Sequence, residues 1–182
     1  VFTSSDLVFD GETPPYRESS PSGPVNVYGE QKVEAERGML RAWPNTAVCR
    51  MPLMFGRPSP VAASFLQPMV AALRQGKRLS LFADEFRTPV SGHTAAAGLL
   101  LALENVEGVV HLGGRERISR YEFGRRLCGI MGVDESLPAP SRQADVPMAA
   151  PRPRDVSLDS SRAYAIGYDP PELDRELRAC LV

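Results

Sequence analysis

Lysine is almost missing from this chain of 182 residues: of 21 basic side chains all but Lys32 and Lys77 are arginine. Three cysteines, Cys49, Cys128 and Cys180, stand far apart with no C-x-x-C, and His93 and His111 form no metal-ligand spacing with them. Neither a metal site nor a disulfide framework is therefore legible, and the cysteines read as reduced thiols in a cytoplasmic protein. No apolar run approaches the ~18 residues of a membrane span. No charged segment followed by an apolar core opens the chain, so no secretory signal is legible. A formal net charge of −1 removes the clustered cationic excess that a general nucleic-acid binder needs. What is present is ordinary: 43% hydrophobic and 24% charged residues, the composition of a globular domain with a sizeable core.

The pattern along the chain alternates strand and helix. Val1 to Thr3 and Leu7 to Phe9 are β-prone and interrupted by Ser4-Ser5-Asp6, the sign of a strand delivering polar groups into a cleft. The stretch from Asp10 to Pro24 is rich in Gly, Pro, Ser and Glu and reads as a long, functional loop. Asn26 is placed to cap a helix from Val27 to Ala42 that Pro44 stops. A buried strand from Thr46 to Met51 follows, then an irregular segment through Phe55-Gly56-Arg57-Pro58.

A helix is expected from Pro60 to Arg74, then short strands at Leu79–Phe82 and near Arg87–Val90. Ser91 is placed to cap an apolar helix from Thr94 to Leu103. A strand from Val109 to Leu112 ends at Gly113-Gly114, and Ser119 heads a helix to Met131. The rest is proline-rich, with a short strand near Val156–Leu158 and two last helices, at 160–166 and 171–181. The fold class is α/β with a partly parallel sheet. Residues 1–58 read as strand, helix and strand carrying the chemistry; residues 59–182 supply the remaining sheet elements and, interleaved with them, a small substrate-covering subdomain.

One spacing carries chemistry. Tyr28 and Lys32 lie four apart on the first helix, so their side chains share one face. A phenol is a weak acid near neutrality, and an adjacent ammonium stabilises its phenolate. A hydroxyl opposite, such as that of Ser5, would hold the same substrate oxygen while another agent moves the hydride. The alternative is an amphipathic pair on a solvated face. With 5 tyrosines and 2 lysines in the chain, Y-x-x-x-K is a rare accident here, and arginine would not replace a compact ammonium.

The text Ser4-Ser5-Asp6-Leu7-Val8-Phe9-Asp10-Gly11, Pro15-Tyr16-Arg17-Glu18 and Pro24-Val25-Asn26-Val27-Tyr28-Gly29-Glu30-Gln31-Lys32 resembles the active-site half of extended short-chain dehydrogenase/reductases. Among these it looks most like the dTDP-4-dehydrorhamnose reductase group of the NAD-dependent epimerase/dehydratase superfamily. Arg50 to Gly56, Phe86 to Val90, Gly113-Gly114 with Ser119, Arg152-Pro153 and Ser157-Leu158-Asp159 agree with it. The resemblance implies an NAD(P)-binding Rossmann-like fold with a small C-terminal substrate-binding subdomain.

It also implies roles for single residues. Ser5 matches the catalytic hydroxyl, Tyr28 the general acid and Lys32 the residue that holds the nicotinamide ribose and tunes the tyrosine. Ser4 and the segment Pro52-Leu53-Met54 fall at the nicotinamide end of the cofactor, NADPH or NADH. Arg87 stands where related enzymes hold the substrate diphosphate, with Arg152 a second candidate; the alternatives are a surface strand arginine for Arg87 and structural packing for Arg152. Asp6 reads as a substrate contact or a local backbone partner. His93 departs from an acidic position in relatives and reads as structural or capping, and His111 as a satisfied strand histidine.

The family opens with a Gly-rich turn that holds the cofactor pyrophosphate. No G-x-x-G-x-x-G occurs in this chain, which starts on a strand without Met; the reading is a fragment lacking that half, inactive alone. The partners implied are a nucleotide-sugar substrate and a second copy in a homodimer, with neither nucleic acid nor membrane. Rival implications are a nucleotide-sugar epimerase and a non-catalytic, NADP-binding regulatory subunit similar to that of methionine adenosyltransferase. An Asp-Glu pair typical of dehydratases is missing, since Leu7 follows Asp6.

Overall fold

A parallel sheet of three strands organises the fold. The structure is a computed structural model that describes residues 1–58 and 64–181. The strands β1 (Phe2–Ser5), β2 (Ala47–Met51) and a third (Gly108–His111) lie in the order first, second, third, all parallel. Between β1 and β2 runs helix α1 (Val27–Ala42), begun by Asn26, whose side chain accepts from Gly29 N at 2.9 Å. That cap satisfies one of the amides that every helix start leaves without a partner.

The β-prone stretch after Asp6 does not continue the strand. Ser5 Oγ accepts from Leu7 N at 3.1 Å and turns Asp6–Val8 into one 3-10 turn. Such a local side-chain bond competes with strand pairing, and the apolar Val8 and Phe9 go into the core instead. Helix α1 lies against that turn because residue 29 is glycine: a Cβ there would stand 2.2 Å from Leu7 O.

Beyond β2 come β3 (Met54–Phe55), α2 (Leu66–Arg74), β4 (Leu79–Phe82), β5 (Phe86–Arg87), β6 (Val90–Ser91) and α3 (Gly92–Asn105). Of the helix expected from Pro60, residues 60–63 lie outside the described residues. Strand β7 (Gly108–His111) completes the sheet, followed by β8 (Ile118–Ser119), α4 (Arg120–Met131), β9 (Pro138–Ser141), α5 (Ser161–Ala165) and α6 (Leu173–Leu181). Ser91 caps α3, and Ser119 with Glu122 forms a capping box on α4. His93 is exposed in the first turn of α3 and caps nothing, since Ser91 already does.

Strand β9 sits where the sequence shows only prolines. It pairs parallel with β4, which donates from Leu79 N to Leu137 O and from Ala83 N to Ser141 O. In a parallel pair only alternate residues turn their amides to the partner, and with Leu79 N bonded to Leu137 O the register leaves Pro138 and Pro140 at the positions that face away. The strand expected near 156–158 is reduced to two isolated bridges, Phe86 with Asp155 and Tyr16 with Leu158.

Three cores follow from this arrangement. Ala47, Cys49 and Met51 of β2 pack with Ala95, Ala102, Val110 and Tyr168 on the face covered by α3. Val8, Phe9, Tyr16, Val33 and Val156 fill a second core beside α1. The third joins α2, α4 and α6 through Leu66, Leu73, Phe123, Leu127 and Leu177. Among the described residues no helix is long and apolar enough to cross a membrane.

Candidate active site

The carboxyl end of β1, the amino end of α1 and the segment after β2 meet in one cleft, the usual place for chemistry in a parallel sheet. It has a volume of about 1050 Å³ and a far wall made by residues 147–152. Ser5, Asp6, Tyr28, Pro52, Leu53, Met54, Arg87 and Arg152 all line it. Eight of the ten residues singled out in the sequence therefore share one space. Asn26 ties the helix start to the far wall, donating from Nδ2 to Pro151 O at 3.3 Å.

Ser5 is buried and donates to Asp6 Oδ1 at 3.2 Å. Tyr28 is 50% exposed, its ring turned toward the cleft. Lys32 is not a wall of the cleft. Its ammonium donates to Thr3 O at 2.9 Å and lies 5.7 Å from the centre of the Tyr28 ring and 5.2 Å from that of Phe2. That placement keeps a positive charge beside the phenol while a backbone carbonyl holds it still.

Ser4 is the one candidate that the structure turns away. Alternation along β1 sends its side chain to the opposite side from Ser5, where its hydroxyl donates to the buried Glu36.

Arg87 is buried, not a surface arginine. Its Nη1 donates to Phe86 O and Arg154 O, and Nη2 to Pro153 O. Asp6 Oδ2 lies 3.8 Å from Nε and Glu85 Oε1 3.7 Å from Nη2. Three hydrogen bonds to backbone carbonyls and two ionic contacts therefore surround that guanidinium. Arg152 differs: its side chain is 57% exposed, and among the described residues its one ionic neighbour is Glu85, at 3.7 Å.

Asp6 is the unusual group in the cleft. It is 4% exposed, and its Oδ2 has no hydrogen-bond partner among the described residues. Burial pushes its carboxyl up to about 6, although Arg87 and Ser5 pull the other way. Glu85, buried beneath Arg87 and Arg152 and accepting from Gln143 Nε2 at 3.2 Å, was not found by sequence reasoning. No spacing could have revealed it, because Gln143 and Arg152 come to it from far along the chain.

The whole chain, residues 1–182, matches the family described as RmlD substrate binding domain. This chain belongs to the RmlD substrate binding domain family. Relatives include the "Probable low-salt glycan biosynthesis reductase Agl14" of Haloferax volcanii, 30% identical over 98% of this chain and 61% of that protein. Methionine adenosyltransferase 2 subunit beta of Xenopus tropicalis is 31% identical over 92% of this chain and 52% of that protein. The solved dTDP-4-dehydrorhamnose reductase of Bacillus anthracis, in complex with NADP, superimposes with a TM-score of 0.89. It is 19% identical and covers 99% of this chain and 64% of that one. The RmlD chain thus spans between about half and two thirds of these relatives.

The structural likeness establishes the fold: the sheet and helices around the cleft are Rossmann-like, as in that reductase. The wall Pro52-Leu53-Met54 is one apolar stretch of the cleft that Ser5 and Tyr28 also line. Among the described residues no three His, Cys, Asp or Glu side chains are grouped to hold a metal ion.

Proposed function

We propose that this chain is the catalytic and substrate-binding part of an NAD(P)H-dependent reductase acting on a 4-keto nucleotide sugar, of the dTDP-4-dehydrorhamnose reductase kind. The observation that carries the proposal is the shared cleft, in which Ser5 and Tyr28 face each other's space with the Lys32 ammonium behind the phenol. The nicotinamide cofactor, held against Pro52-Leu53-Met54, supplies the hydride. Ser5 Oγ holds the C4 oxygen of the sugar, Tyr28 gives that oxygen its proton, and Lys32 offsets the charge left on the phenolate.

The substrate diphosphate falls to Arg152 more than to Arg87. Arg152 has donors free to form a fork with phosphate oxygens, whereas Arg87 is buried, with both Nη atoms donating to backbone carbonyls and Asp6 and Glu85 as ionic neighbours. Arg87 then serves to hold Asp6 and Glu85 in place, and Asp6 faces the sugar hydroxyls. Residues 1–58 form the catalytic unit and 59–182 the remaining sheet with the substrate-covering subdomain. The pyrophosphate of the cofactor requires a Gly-rich turn outside these residues, so residues 1–182 alone are expected to lack measurable NADPH affinity by calorimetry.

Two rivals remain open to the same cleft. An epimerase would retain bound NAD through purification and interconvert sugars without net consumption of cofactor. A regulatory subunit, the part played by the methionine adenosyltransferase relative, would bind a synthetase and reduce nothing. Incubation of the complete protein with NADPH and a panel of dTDP-, UDP- and GDP-linked 4-keto sugars separates the three. Stoichiometric oxidation of NADPH by the dTDP-linked member supports the proposal. Turnover of only UDP- or GDP-sugars removes the dTDP assignment, and isomerisation without oxidation supports the epimerase.

A further inference from the structure

Tyr28, Lys32 and Glu36 stand at i, i+4 and i+8 on α1, one stripe of the helix facing β1. The strand answers them in order. Lys32 Nζ reaches Thr3 O, Ser4 Oγ donates to Glu36 Oε1, and the next residue, Ser5, opens into the cleft. Glu36 is 4% exposed, deep for a carboxylate, and the one charged side chain among the buried residues of α1. Its partner is Arg50 of β2, which donates from Nε to Oε1 at 3.0 Å and from Nη2 to Oε2 at 2.8 Å.

A two-pronged contact of this kind fixes an angle as well as a distance. Arg50 is itself held on every side. Ser4 is its register partner across the strands, the Phe9 ring lies under its guanidinium at 5.0 Å, and His111 Nε2 stands 3.5 Å from Nη1. Burial, and then Arg50, push the His111 imidazole down to about 3, so the ring is neutral. A neutral ring donating from Nδ1 to Tyr16 O presents a bare Nε2 to Arg50.

We propose that Glu36 and Arg50 are positioning residues: their buried fork, closed by Ser4, sets the register of α1 along β1 and thereby places Tyr28 and Lys32 against Ser5. A purely stabilising ion pair could sit anywhere along the helix. This one lies one turn beyond Lys32 in the same stripe, and its third member is the strand residue next to Ser5. The inference rests on the reductase reading for its kinetic arm alone.

The scarcity of lysine supplies a direct readout, because Lys32 and the exposed Lys77 are the two lysines of the chain. In the complete protein, the double variant Glu36→Gln, Arg50→Met removes both charges and leaves none unpaired. Acylation of Lys32 by an N-hydroxysuccinimide ester, measured by peptide mass spectrometry relative to Lys77, is expected to speed up several-fold. With the keto-sugar substrate, kcat is expected to fall about 10- to 100-fold while KM moves by less than about threefold. Ser4→Ala, which leaves the fork in place, keeps the test open if the double variant fails to fold; it is expected to shift both readouts in the same direction by a smaller factor.

A folded variant with the Lys32-to-Lys77 labelling ratio of the wild type would overturn the proposal, as would unchanged kcat. If the wild type reduces no keto-sugar, the reductase reading fails while the labelling ratio still decides the positioning role.

Discussion

Ser4 and Ser5 are neighbours on one strand, both buried, and they open onto two polar clusters that differ in completeness. On the Ser4 side, both oxygens of Glu36 accept, every nitrogen of Arg50 has a partner, and both ring nitrogens of His111 are engaged. On the Ser5 side, Asp6 keeps one oxygen without a hydrogen bond, its carboxyl is pushed up to about 6, and Arg152 stands half in solvent. A saturated buried network rigidifies; an unsaturated one costs stability that a ligand can return. On the proposed reading the first cluster is the frame and the second is where a substrate would complete the bonding.

The comparison is open to several tests, the largest first. Tyr28→Phe removes the proton donor and is expected to lower kcat by about 10²- to 10⁴-fold, with the thermal midpoint unchanged because the phenol is half exposed. Arg50→Met leaves the Glu36 carboxylate buried and unpaired. Denaturant unfolding should show a loss of about 3–5 kcal/mol, whereas Arg152→Met on the open side should stay within about 1 kcal/mol.

Asp6→Asn should do the opposite of Arg50→Met. A carboxyl whose native value lies near 6, against 3.8 for the ordinary group, binds more protons folded than unfolded between those values. Stability therefore falls as pH rises through that window. The asparagine variant escapes that fall and should gain about 2 kcal/mol at pH 8, an advantage that vanishes near pH 4. A variant no more stable than wild type at pH 8 would place Asp6 in a satisfied site and erase the contrast. The smallest effect is expected of Arg152→Lys, which trades a fork for a point charge and should raise KM for the nucleotide sugar about 3- to 10-fold with kcat kept.

The difference between the two sides also explains what was legible in the sequence. Chemistry written on one local element could be read. Asn26, Tyr28 and Lys32 share a helix whose bounds, Val27–Ala42, follow from a cap and a proline, and Ser119 announces α4 by its capping box. What depends on distant segments could not be read. Glu85 owes its place in the cleft to Arg87, Gln143 and Arg152, and Glu36 owes its burial to Arg50, fourteen residues on.

Local rules also misplaced some residues for a physical reason. Leu7–Phe9 has strand propensity, but the Ser5 hydroxyl captures the Leu7 amide first. Proline marked 138–141 as loop, yet Pro138 and Pro140 occupy the alternate positions whose amides would point away from β4. Ser4 and Ser5 look equivalent in the sequence, and only the alternation of β1 separates frame from cleft.

The measurement closest to the central claim is cofactor oxidation by the complete protein given a dTDP-linked 4-keto-6-deoxy sugar, run side by side with Tyr28→Phe. The account predicts one NADPH oxidised per sugar reduced by the wild type and loss of that turnover in the folded variant. Equal rates in the two proteins would contradict it, because the proton would then be coming from a group other than Tyr28.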